Sequence, residues 1–197
     1  MSHSFGTAIP HVFLTGISFW SLRKLPENSP FGIACYSFYV ASGILGIITY
    51  GAPTHGLKIR NIYYKLWNIS MTIGLPLYTT QLYLSSGISL EISILNMLLP
   101  LTLLFKLIKV HIQPNMLCTA SVALLSAYKG NYYGISTAIS CFIAEFGIHM
   151  INGEVPPKDL FTYALSFAQF FSLKALLESV LLKSLESGNS ISVMQTF

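Results

Sequence analysis

Stretches of nineteen or twenty residues without a formal charge recur along this chain, and few folds can accept them. Residues 31–50, 66–84 and 110–128 each contain no Asp, Glu, Lys or Arg. A helix crossing the hydrocarbon layer of a bilayer needs roughly 20 predominantly apolar residues. In lipid its backbone polar groups must be satisfied within the helix itself. The runs therefore predict an all-α, polytopic transmembrane helix bundle. Composition points the same way: 53% of the side chains are apolar and only 9% charged, where a soluble domain carries about a quarter charged.

Breakers divide the chain into about seven spans joined by short loops. The first, 5–22, ends at Arg23 and Lys24 and is followed by a loop carrying Pro26 and Pro30. The second, 31–50, is stopped by a cluster containing Gly51, Pro53 and Gly56. The remaining segments are 66–84, 90–108, 110–128, 132–151 and 160–182, with Asp159 placed to cap the seventh helix. Gly74 and Pro76 in the third segment and Pro100 in the fourth are candidate kinks, because a proline frees the carbonyl four residues before it. So little separates the fourth and fifth segments that six spans and one re-entrant piece form the competing topology. Residues 1–186 read as one transmembrane domain and 187–197 as a disordered tail.

Several function classes find no foothold. Cys35, Cys118 and Cys141 lie inside apolar runs, without the paired spacing of a zinc site or a disulfide framework. No Lys or Arg occurs in the first ten residues, so the first apolar segment does not read as a secretory or mitochondrial leader. The formal charge of +4 is dispersed over short connections, which gives nucleic acid no basic stripe to bind. Phosphate-binding loops, metalloprotease helices and nucleophile elbows are missing from the sequence, so neither an enzyme nor a cofactor is expected. Basic residues nearly balance between the two sets of loops, which leaves orientation open.

Polar residues within the spans are where function would show, since an ionisable group in hydrocarbon is costly and usually paired or wetted. Glu145 is the most conspicuous, and His149 lies four residues on, on the same helical face. Folding the sixth and seventh segments as a hairpin sets Gln169 opposite Glu145 as its natural hydrogen-bond partner. Glu145 and His149 read either as a proton or cation relay or as a buried or interface acid satisfied by Gln169, water or a partner subunit. A second pattern, Ser42, Gly43 and Gly46 in the second span, would let a neighbouring helix approach closely. Internal packing and a partner helix both fit that pattern.

Short strings in collinear order resemble the transmembrane protein 276 family, a group of small multi-pass proteins. They are Thr54-His55, the run from Ile73 to Leu77, Asn131 with Tyr133-Gly134, and Pro157-Lys158-Asp159. The resemblance implies a helical membrane fold and no substrate or cofactor. That family's pattern has no acid at the place of Glu145, which implies that any role of this residue is particular to this chain.

Two functions are expected in consequence. One is a helical interaction or assembly subunit, held in the lipid bilayer against other membrane proteins or a second copy of itself. The other is a small channel or transporter for an ion or small solute, using Glu145 and the proline-broken helices. Localisation is expected to be integral to an endomembrane or the plasma membrane.

Overall fold

The computed structural model describes residues 5–26, 28–104, 114–146 and 156–186. Among these residues the chain is all-α. Helix α1 is Phe5–Lys24, α2 Pro30–Gly51, α3 Pro53–Ser85, α4 Leu90–Leu104, α5 Pro114–Lys129, α6 Tyr132–Glu145 and α7 Pro157–Glu186. Proline opens α2, α3, α5 and α7, a position where its missing N–H is harmless and its fixed φ suits the first helical turn. Glycines at positive φ, Gly87 at 83° and Gly130 at 68°, turn the chain after α3 and α5, a backbone region that side-chain-bearing residues enter at a cost.

Two helices, α2 and α7, are long and apolar enough to cross a membrane, with mean hydropathies of 1.8 and 1.4 over their most apolar windows. The described lengths of α4, α5 and α6 are 15, 16 and 14 residues. Conversely, α3 is far longer than the expected segment at 66–84. The glycine and proline cluster shrinks to one extended residue, Ala52, at φ −118° and ψ 100°. Pro53 then starts a helix that absorbs the basic stretch expected as a loop. At 33 residues, α3 is about 50 Å long, against about 30 Å for a bilayer core.

Six helices close a ring in the order α1, α2, α3, α5, α6, α7 and back to α1. Helix α3 also touches α7 across the interior, while α4 lies outside against α3 and α5. The expected stripe on α2 is used inside this ring. A Cβ on Gly43 would collide with Thr15 of α1, and one on Gly46 would stand 2.6 Å from the His11 ring. Ser42 is fully buried and donates to the Tyr39 carbonyl. Gly74 serves a similar contact, since Tyr39 of α2 fills the place of its missing side chain.

The described helices run through both candidate kinks without a break in assignment, α3 through Pro76 and α4 through position 100. Near Pro76, the Thr79 hydroxyl donates to the Leu75 carbonyl at 2.8 Å and the Thr80 hydroxyl to the Pro76 carbonyl at 2.9 Å. Asn96, one turn before Pro100, donates through Nδ2 to Ser121 of α5 at 2.9 Å.

Buried positions are unusually polar, and the surface is unusually apolar. Ser18, Ser21, Ser42, Ser70, Thr79 and Thr80 are fully enclosed, whereas Phe13, Leu95 and Leu124 are 54%, 62% and 73% exposed. One apolar layer does seal the middle of the ring: Leu14, Tyr36, Leu82, Leu173 and Leu176 are all buried there.

Candidate functional site

Two cavities lie within the ring, the outer one at the end where α2 meets α3 and α7 begins. The inner one, about 160 Å³, lies between α2, α3, α5, α6 and α7, with Tyr39, Tyr78, Asn115, Glu145, Gln169 and Ser172 supplying its polar wall. An outer one of about 550 Å³ is bounded by His11, Tyr50, Tyr63, Tyr64 and Trp67 on one side and by Glu145, Asp159 and Phe161 on the other. Glu145, Ala144 and Phe161 line both. Glu145 is thus shared by the two cavity walls.

Local structure explains how Glu145 arrives there. Asn131 caps α6, its side-chain oxygen accepting from the Gly134 N–H at 2.7 Å, and its Nδ2 donates to the Ala175 carbonyl of α7 at 2.8 Å. This fixes the register of α6 on α7 at the far end, and the helix then runs to Glu145. The sequence places Glu145 six residues inside a span reaching 151. In the structure it is instead the last residue of α6.

Gln169 lines the inner cavity with Glu145, as the hairpin argument requires, yet the two do not hydrogen-bond to each other. The donor to Glu145 Oε1 is Asn115 Nδ2 of α5, at 3.5 Å. Gln169 Oε1 is buried without a hydrogen-bond partner among the described residues. Unpaired buried polar atoms facing a cavity are characteristic of a space that holds water or a polar guest. His149 lies outside the described residues.

Below Ser172 the interior closes. The Tyr36 hydroxyl and Ser172 Oγ are 2.7 Å apart, and Leu173, Leu176 and Leu82 fill the space beyond. The inner cavity is thus bounded on this side by packed side chains.

The outer wall is a set of aromatic rings that packing has placed edge to face. His11 stacks on Tyr50 with 5.6 Å between centroids and meets Tyr63 and Trp67 edge-on. The Tyr63 hydroxyl lies 3.2 Å from His11 Nε2. Burial pushes the Tyr63 phenol well above the usual tyrosine range. Tyr64 moves the other way, because Arg60 hydrogen-bonds its hydroxyl and favours the phenolate. The Arg60 guanidinium also sits 5.4 Å from the Tyr64 ring centroid.

Asp159 is not the cap of α7. The helix starts two residues earlier, with Pro156 accepting from the Asp159 and Leu160 N–H groups. The Asp159 side chain is consequently released to the cavity wall, where Thr7 of α1 donates to it at 3.5 Å. Sequence reasoning missed Asn115, Tyr78 and the ring set altogether. Tyr63, Tyr64 and Trp67 carry a helical spacing that would have signalled a wall, but that stretch reads as a loop when only charge is followed.

Three cysteines are free, Cys35 and Cys118 buried and Cys141 partly so. No group of three His, Cys, Asp or Glu side chains is arranged to hold a metal ion among the described residues. Comparison with protein-family models, with curated proteins and with solved structures gives no match to this chain.

Proposed function

We propose that this chain is a seven-span integral membrane protein that takes a small cationic solute into the helix bundle and holds it on Glu145. Each apolar run of the sequence is counted as one span in this reading. Support for a lipid environment comes from the inverted surface. Contiguous exposed aromatic and aliphatic side chains are a liability in water, and small polar residues at helix contacts are how helices pack where the surroundings are already apolar. The single observation that carries the solute reading is the position of Glu145 on the wall of both cavities.

A cavity bounded on one side by packed side chains suits a carrier or a receptor. For a carrier, the apolar layer of Tyr36, Leu82, Leu173 and Leu176 would have to part after the outer end closes. Purified protein reconstituted into liposomes should take up a labelled small cation, sodium or choline, and Glu145→Gln should abolish the uptake. Undiminished uptake by a folded Glu145→Gln protein would defeat the proposal.

A second reading, an assembly subunit, is favoured by an apolar groove between α5 and α6. Met116, Ala120, Ala123, Ile139 and Phe142 line this space of about 370 Å³. Extraction in mild detergent should then yield a stoichiometric membrane partner. Kinship with the transmembrane protein 276 family remains part of this proposal and rests on the collinear strings alone.

A further inference from the structure

We propose that the outer cavity is a binding site for an alkylammonium group of the choline type. This inference rests on the solute-binding reading above and assigns its ligand class. Methylated ammonium ions are large, weakly hydrated cations that bind best against several aromatic faces at once, with a carboxylate close enough to balance the charge. The outer cavity offers both. Tyr50, Tyr63, Tyr64 and Trp67 form its aromatic side, contributed by α2 and α3. Glu145 and Asp159 supply carboxylates to the same cavity from α6 and α7. A volume of about 550 Å³ falls within the range of small-molecule sites.

Other charges around the space set the expected signs. Lys158 lines the cavity but is exposed, so its ammonium stands in solvent at the rim. Arg60 sits over the Tyr64 ring, its guanidinium 5.4 Å from the centroid. A cationic guest therefore meets carboxylates inside and one repelling lysine at the mouth. An anionic guest would meet the reverse. Removing Lys158 should tighten binding of a cation and weaken binding of an anion.

The rings also carry an internal reporter, since Trp67 lines the cavity while the second tryptophan, Trp20, is stacked on Phe170 at 5.8 Å. In a Trp20→Phe background in a sugar-based detergent without choline headgroups, choline should change Trp67 fluorescence saturably. The neutral isostere 3,3-dimethylbutan-1-ol should change it little. Asp159→Asn should weaken choline binding about fivefold or more, the size of one desolvated ion contact. Lys158→Gln should strengthen it about twofold, the size of an exposed charge interaction. Because Lys158 is exposed, that variant tests the inference even if Asp159→Asn fails to fold.

Phosphatidylcholine added to the micelles tests whether the same group can come from a lipid. Competition with free choline would support a headgroup as ligand. Unaffected choline binding would support the free solute. Equal responses to choline and to the neutral alcohol, or no response to either, would overturn the inference. Choline binding without flux in liposomes would uphold the site while removing the carrier, and flux of sodium without choline binding would do the opposite.

Discussion

Where α5 turns into α6, one buried asparagine holds three structural elements together. Asn131 accepts from Gly134, and donates to the Ala175 carbonyl and to Ser179 Oγ at 2.9 Å. Ser86 at the end of α3 joins the same group through Ser179. At the opposite end of the bundle, α1, α2, α3 and α7 approach mainly through ring faces, with a 3.2 Å contact between the Tyr63 hydroxyl and His11 Nε2 and a 3.5 Å contact between Thr7 and Asp159. The outer cavity lies at this second end. Hydrogen bonds between helices fix distances to a few tenths of an ångström, whereas aromatic faces tolerate a gap. Helices are anchored at one end of this molecule and hold space apart at the other.

Asn131→Ala should produce the largest change in stability. It removes the α6 cap and leaves the Ala175 carbonyl and Ser179 without their donor, a loss of roughly 2–4 kcal/mol. Thermal unfolding in detergent measures it, and an unchanged midpoint would show that the anchored end is not held by this residue. Gly46→Ala comes next. The new methyl would need the His11 ring to move, at roughly 1–3 kcal/mol, so the unfolding midpoint should fall less and Trp67 emission should shift in the folded protein. Normal emission would mean that the ring wall is not braced by the α1 and α2 contact. Smallest is an alkaline titration of the tyrosines at the open end. Tyr64, held below the usual range by Arg60, should ionise early and Tyr63 late. A lowered phenol contributes stability that is fully present above the unfolded value and lost as pH falls through the folded one. Arg60→Gln should therefore delay the first tyrosine absorbance step, and an unmoved step would separate Arg60 from the wall.

Much of the helical order follows from charge-free runs and prolines, because both act locally. Helices α1 and α2 lie close to the expected bounds, and Asn131 with Gly134 sits at the turn that the sequence suggests. The extension of α3 back to Pro53 was not legible, since Gly51 and Gly56 read as breakers and only the packing of Tyr63 and Trp67 against His11 favours a helix there. For the site, helical spacing and a hairpin sufficed to bring Glu145 and Gln169 to one cavity. Their actual hydrogen-bond partners were hidden. Asn115 lies thirty residues from Glu145, and a contact that distant depends on the order of helices around the ring, which periodicity does not encode.

Ala52 alone separates α2 from α3. A joint of one residue has two soft torsions, so the two helices can swing about Ala52 but cannot slide along each other. Tyr50 on one arm and Tyr63 on the other stand 5.7 Å apart between ring centroids, and a swing at Ala52 would change that spacing.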